Sequence, residues 1–274
     1  MTEPISTPVG LAKLLKAEDA RTPPPIITVY GPGGVGKSTF ASNFPAPLII
    51  DSEHGLIGIK ADSIPATNYQ DVLQTIKDLH KDSHGYRTVA LDTLDAMEPM
   101  LWAEACRRNG WQSIEDAGYG KGYVAAADLW RNEIIAGLQA LRNRHGMTVI
   151  MTAHSQVKTF QSPLHDAWDR YELRLHKTAS ALVTEYSDIV GFAHYEAAVK
   201  KERQGFDKTR VRGIGDGSRV LGLEDRPGYV AKNRFGLPAS IKFSAEDFMA
   251  AMRTSLKPPV IDEKPTAQQE ESNG

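Results

Sequence analysis

Residues 31–38 read Gly31-Pro32-Gly33-Gly34-Val35-Gly36-Lys37-Ser38, a complete G-x-x-x-x-G-K-[ST] pattern. An apolar β-type run, Ile26-Ile27-Thr28-Val29-Tyr30, precedes it, and a helix start, Ser38-Thr39-Phe40-Ala41, follows. This strand–loop–helix setting separates a working phosphate loop from an ordinary glycine-rich turn. The glycines let the backbone curl so that several N–H groups face phosphate oxygens. The helix start adds its positive dipole end to the same anion. Lys37 supplies a charge to the β- and γ-phosphates, and the Ser38 hydroxyl suits a Mg²⁺ ligand. The binding set is Gly31 through Ser38 with Thr39 after it, and the ligands it calls for are ATP and Mg²⁺.

Two further carboxylates lie at strand ends. Thr88-Val89-Ala90-Leu91-Asp92 reads as a buried strand ending in an acid. Downstream of a phosphate loop, Asp92 fits the second Mg²⁺-side group, together with Ser38. The spacing of Asp92 and Asp95 also suits a helix N-cap. Leu48-Ile49-Ile50-Asp51 reads as another buried strand and runs into Ser52-Glu53-His54. Hydrolysis needs a group that orients or deprotonates the attacking water, and Glu53 is the best-placed carboxylate for it. By spacing alone, a solvated loop glutamate fits equally well.

The elements that must position these residues alternate between strand and helix. Val72, Leu73, Ile76 and Leu79 lie on one helical face. A long helix is expected over 122–145, carried by Trp130, Ile134, Leu138 and Leu141 and stopped by Gly146. Met147 to Ala153 reads as a buried strand. The order implies an α/β domain with a mainly parallel sheet covered by helices on both faces. Ligands bind beyond the carboxyl ends of such strands, where the candidate residues fall. From about 188 the pattern changes to short strands: 188–195, 208–214, 218–223, 229–234 and 240–243, an antiparallel extension. A last helix is expected over 245–256, capped by Ser244 with Asp247 at N3.

The divisions expected are a leader at 1–25, one ATPase domain at 26–256 and a disordered tail at 257–274. The leader holds a possible amphipathic helix (Val9, Leu11, Leu14, Leu15) before Pro23-Pro24-Pro25, suited to docking on a neighbouring subunit. The chain has 274 residues, 41% hydrophobic and 24% charged, with net charge −2. That balance demands no nucleic acid globally, so any such binding needs a local basic patch. One cysteine, Cys106, allows no intramolecular disulfide and no cysteine-based zinc site. No apolar run approaches the roughly 20 residues that span a bilayer, and the N-terminus lacks a signal-peptide layout. The expectation is a cytoplasmic protein without a membrane partner.

The chain resembles the RecA-type ATPase core, and in particular the small RecA-like or AAA-family nucleotide-binding proteins of bacteriophages, some of which are annealing recombinases. Ile49-Ile50-Asp51-Ser52-Glu53-His54 is similar to the RecA strand ending in Asp-Ala-Glu-His, whose glutamate is the catalytic base, and the resemblance gives Glu53 that role. Ala231-Lys232-Asn233-Arg234 is similar to a Lys-Asn-Lys element whose lysines reach the γ-phosphate of a neighbouring subunit. By that likeness Lys232 and Arg234 act in trans, as an arginine finger does. Both would face one side of a strand; a solvated basic edge strand is the plainer alternative. RecA has a glutamine sensor at the end of the strand matching 147–153. Here His154 or Gln156 follows, and the sequence does not choose. The resemblance spans about 26–243. It implies a homo-oligomer, filament or ring, in a bacterial host cell, with ATP at subunit interfaces.

It also implies two loops that hold single-stranded DNA. The first is Asp116 to Tyr123, with Tyr119, Lys121 and Tyr123 on a glycine-rich backbone. The second lies within 155–177, where Lys158, Phe160, Trp168, Arg170, Tyr171 and Arg174 interleave rings with charge. The alternative for this stretch is a lid or a packed helix. Lys200, Lys201, Arg203, Lys208, Arg210 and Arg212 form either a stripe that binds the nucleic-acid backbone or a solvated face. The function expected is an ATP-dependent phage recombination protein that anneals or exchanges strands, with a single-strand-binding protein as a possible partner. A helicase loader or motor directed at protein is the alternative. A nucleotide kinase fits less well, because 155–177 has only two arginines for a lid.

Overall fold

The computed structural model describes residues 22–196, 198–203, 209–214 and 217–256. The expected leader helix and the tail from Lys257 lie outside those residues, as do Lys208 and the turn residues Gly215 and Asp216.

The first half builds a parallel sheet from β1 (Ile26–Gly31), β2 (Pro47–Asp51), β3 (Asp62–Pro65), β4 (Thr88–Asp92) and β5 (Thr148–Phe160). The helices between them are α1 (Lys37–Ser42), α2 (Tyr69–Lys81), α3 (Leu94–Asn109), α4 (Lys121–Leu129) and α5 (Ala136–His145). A π-helical stretch, Trp130–Ile135, joins α4 to α5, so the helix expected over 122–145 forms as one rod with a wider turn inside it. Then follow β6 (Trp168–Leu173), α6 (Lys177–Tyr186), β7 (Ile189–Tyr195) and the hairpin β8 (Ala198–Arg203) and β9 (Thr209–Ile214). The chain closes with β10 (Arg219–Gly222), β11 (Lys232–Asn233), β12 (Ser240–Lys242) and α7 (Ala245–Ser255).

The sheet order is β12-β10-β7-β1-β5-β4-β2-β3. From β3 to β7 every pairing is parallel. β10, β11 and β12 join antiparallel beyond β7, but β7 itself pairs parallel with β1 and β8 pairs with β9 in a separate hairpin, so the antiparallel extension expected from about 188 begins only at β10. The fold is thus the expected α/β phosphate-loop core, mainly parallel with an antiparallel extension. Apolar side chains alternate across the strands and fill both faces. One face packs Leu91, Met151 and Phe192 against Ile76, Leu101, Trp130 and Leu138. The other packs Ile49 and Ile150 against Phe40 of α1, Phe44 just after it and Phe248 of α7. The Phe40 ring stacks on Phe243 at 5.0 Å and meets Phe248 edge-on at 5.6 Å. The Ser244 cap of α7 is present, its hydroxyl accepting the Asp247 N–H at 3.0 Å.

Two further expectations need correction. β5 does not stop at Ala153. It continues to Phe160 and pairs antiparallel with β6, so 155–173 form a two-stranded ribbon beyond the sheet rather than a loop or a packed helix. The polar sequence after Ala153 hides this, because the ribbon's residues are largely exposed and keep no apolar alternation. The strand expected over 229–234 shrinks to Lys232–Asn233, which pairs with Val190 and Ile189. Its flanks are held by other means: Tyr171 accepts the Val230 N–H at 3.2 Å, and Asp225 Oδ1 accepts that of Ala231 at 3.0 Å.

Candidate active site

Parallel register brings the candidate residues to one sheet edge. Gly31 is opposite His154 and Asp51 is opposite Asp92. A Cβ on Gly31 would fall 2.1 Å from the Ala193 carbonyl oxygen, so only glycine lets β1 lie this close to β7 where the phosphate loop begins. Gly34 and Gly36 have φ of 74° and 106°, the left-handed region glycine occupies without cost. The loop is also braced from outside. Tyr195 Oη donates to the Gly34 carbonyl at 3.2 Å, and Arg219 Nη1 donates to that of Val35 at 3.1 Å. The sequence carries no signal for Tyr195 or Arg219, since each is far from the loop in the chain.

Lys37 is 5% exposed, and its ammonium donates to the Gly31 and Pro32 carbonyls at 3.2 and 3.0 Å. Burial lowers its pKa, and the Asp92, Glu53 and Asp95 carboxylates oppose that shift. A cavity of about 280 Å³ opens beside it, lined by Gly34, Gly36, Lys37, Ser38, Thr39, Glu53, Asp92, Thr93 and His154 among others. Asp92 is buried and accepts from the Thr152 hydroxyl. Neither Asp92 nor Asp95 caps α3; Thr93 holds that position, with no side-chain cap bond. The Thr93 hydroxyl is buried with no protein partner, next to Asp92. An orphaned hydroxyl beside a strand-end carboxylate and Ser38 fits a hydrated divalent cation, so the residues present suit Mg²⁺.

Glu53 is held at its backbone, where its N–H donates to the Asp92 carbonyl at 3.3 Å. Ser52 beside it donates its N–H to the same carbonyl at 2.9 Å and its hydroxyl to the Thr93 carbonyl at 2.9 Å. The loop after β2 is thereby tied to the end of β4. The Glu53 side chain remains 43% exposed, turned into the cavity, with Oε1 3.9 Å from His154 Nε2.

Of the two sensor candidates the structure brings only His154 to the site. A Cβ at Gly33 would lie 3.9 Å from its Nε2. Its Nδ1 lies 3.0 Å from Asp95 Oδ2, and its backbone N–H donates to Asp95 Oδ1 at 2.8 Å. Gln156 instead donates to the Leu173 carbonyl at 2.9 Å, inside the ribbon. Asp95, which sequence reasoning weighed only as a cap, also accepts from Arg174. Burial raises the Asp95 pKa, but these donors outweigh it and the net shift is downward.

Lys232 and Arg234 lie away from this cavity, beside the amino end of β7. Lys232 donates to the Thr184 and Glu185 carbonyls at the end of α6, both at 2.8 Å. Burial, with Arg234 nearby, lowers its pKa. Arg234 is 58% exposed, with one loose contact to Asp188 at 3.6 Å. Among the expected DNA-contacting rings, Tyr119 is fully exposed. Tyr123 stacks on His176 at 4.1 Å and 8°. Phe160 packs on Trp168 at 5.0 Å and carries Arg170 over its face at 4.3 Å.

A family model described as an AAA domain matches residues 24–235. The SPbeta prophage-derived uncharacterized protein YorG of Bacillus subtilis (strain 168) is 26% identical over 139 residues, which are 47% of this chain and 41% of that protein. The chain therefore spans less than half the length of this curated relative. The crystal structure of the RadB recombinase superposes with a TM-score of 0.43 at 15% identity, covering 76% of this chain and 86% of that one.

Proposed function

The chain belongs to the AAA domain family, and from that premise we propose that it is an ATP-dependent phage recombination protein. It binds single-stranded DNA and promotes annealing or strand exchange, with ATP held between subunits of a homo-oligomer in the bacterial cytoplasm. The observation that carries the ATPase reading is the convergence of Lys37, Glu53, Asp92 and His154 on one cavity at the carboxyl edge of the sheet. Lys37 and the loop N–H groups bind the triphosphate. Ser38 and Asp92 would hold Mg²⁺, which would supply neutralisation of the phosphate charge. Glu53 takes the proton of the attacking water. The water's oxygen bonds to the γ-phosphorus as the bond to the bridging oxygen breaks, and ADP departs with that electron pair.

The DNA reading is supported by continuity. β5 leaves the cavity at His154 and becomes the ribbon without a break, so a strand of DNA on the ribbon and a phosphate at His154 act on one rigid element. The exposed Tyr119 and the basic sequence of β8 and β9 add contacts of the kind single strands use. A helicase loader or motor acting on protein is favoured by one observation: the Phe160 and Trp168 rings are already packed on each other, and Arg170 covers the Phe160 face. Fluorescence anisotropy with a labelled oligonucleotide, paired with an assay for annealing of complementary strands, separates the two. Recombination requires salt-sensitive binding of single strands and faster annealing. No binding at low salt, with ATP turnover intact, moves the function to a protein partner.

A further inference from the structure

We propose that His154 is the second acceptor for the attacking water, and that Asp95, itself held by Arg174, fixes the ring tautomer that makes it one. The inference rests on the ATPase reading and adds positioning residues to it. It starts from two atoms. Glu53 Oε1 and His154 Nε2 face each other across 3.9 Å, too far for a hydrogen bond between them. Atoms 3.9 Å apart can each accept from one water at about 2.8 Å, with an angle near 90° at its oxygen, close to the angle between the two O–H bonds. A water held so presents its oxygen lone pairs away from both groups, and the phosphate loop is the neighbouring wall, with Gly33 3.9 Å from Nε2 on the Cβ position.

For this the Nε2 atom must lack a proton, so Nδ1 must carry it. Asp95 decides that. Its Oδ2 lies 3.0 Å from Nδ1, where a ring lone pair would meet a carboxylate oxygen and an N–H would donate to it. Arg174 Nη2 also lies 3.2 Å from Nδ1, but it donates to Asp95 Oδ2 at the shorter distance, which leaves the Nδ1 proton to the carboxylate. Asp95 stays ionised because it also accepts the His154 backbone N–H at 2.8 Å and a proton of Arg174. Arg174 belongs to the segment leaving the ribbon, and its own backbone N–H donates to the His154 carbonyl at 2.8 Å. A histidine whose far nitrogen is fixed by a carboxylate is a recurrent way of setting ring orientation and basicity. Here it ties water placement to the ribbon through one buried carboxylate.

The test uses the full chain. Histidine ¹⁵N signals, with His154 identified by its loss in His154→Gln, report the tautomer without any turnover. The wild type should show Nδ1–H, and Asp95→Asn should lose it. In parallel, Asp95→Asn and Arg174→Ala should each lower kcat by about tenfold or more with nucleotide Kd unchanged, and Arg174→Lys should recover part of the loss. An Nε2–H wild type overturns the inference whether or not the chain hydrolyses ATP. So does an Asp95→Asn variant with altered tautomer and unaltered kcat. If Lys37→Ala and Glu53→Gln turn over as the wild type does, the ATPase reading itself has failed.

Discussion

Glu98 accepts the backbone N–H of His176 with both carboxylate oxygens, at 3.1 and 3.0 Å, and so ties the middle of α3 to the start of α6. The carboxyl is buried, and burial is the main cause that raises its pKa to about 7; the His176 N–H opposes this and Asp95 adds to it.

The sign of the pH effect follows. In the unfolded chain Glu98 ionises near its ordinary 4.5, while in the folded chain it keeps its proton to about 7. Between those values the folded state binds more protons, so this group's contribution to stability falls as pH rises and levels off above pH 7. Glu98→Gln keeps an acceptor for His176 and removes the proton. Its melting temperature relative to wild type should therefore rise from pH 5 to pH 8. A difference that stays flat would mean that Glu98 is not held protonated.

Gly31→Ala tests the close approach of β1 to β7. The added Cβ meets backbone, the Ala193 carbonyl oxygen at 2.1 Å, and nothing flexible can yield. The expected cost is about 3 kcal/mol or more by denaturant unfolding, with nucleotide binding reduced as the loop shifts. Gly34→Ala places its methyl in open space and should cost less, through the φ of 74° alone.

The two cations of the C-terminal segment should separate in their effects. Lys232→Ala strips two carbonyls at the end of α6 of their donor and should lower the melting temperature by a few degrees. Arg234→Ala should leave it unchanged. If Arg234 acts across a subunit interface, its variant loses hydrolysis alone and regains part of it when mixed with Lys37→Ala subunits. No recovery on mixing removes the in-trans role.

Tyr119 has φ of 48° and a fully exposed ring, so it makes no packing contact that offsets its backbone cost. Tyr119→Gly should stabilise the chain by about 0.5–1 kcal/mol. If the ring stacks on bases, the same variant should bind single-stranded DNA several-fold more weakly. Unaltered DNA affinity in the stabilised variant would leave the ring without that role.

Most of the sheet was legible because its strands are short apolar runs ending in glycine or acid, and the phosphate loop fixed where the carboxyl edge lies. α3 was not. Its buried stripe, Leu94, Met97, Glu98, Leu101, Glu104 and Ala105, has helical spacing but includes two glutamates, and Pro99 interrupts the pattern. Both glutamates are acceptable inside because of partners remote or hidden in sequence: Glu98 takes the His176 N–H, and Glu104 takes Arg107 and Arg108. β3 escaped notice as an exposed four-residue edge strand containing Asp62 and Pro65. The candidate site was legible where a single residue makes one contact with the cavity, as with Lys37, Asp92 and Glu53. It was not where two side chains from distant segments share one, as with Asp95 and Arg174, or where a tyrosine and an arginine brace a loop more than 150 residues away.

Glu53 is proposed to activate water at a phosphate loop built on Lys37. The most direct test is steady-state Mg²⁺-dependent ATP hydrolysis by wild type, Glu53→Gln and Lys37→Ala, each with and without single-stranded DNA, alongside nucleotide Kd. Glu53→Gln should keep nucleotide affinity and lose about 100-fold or more in kcat, Lys37→Ala should lose both, and single strands should stimulate only the wild type. Wild-type turnover in Glu53→Gln would contradict that role.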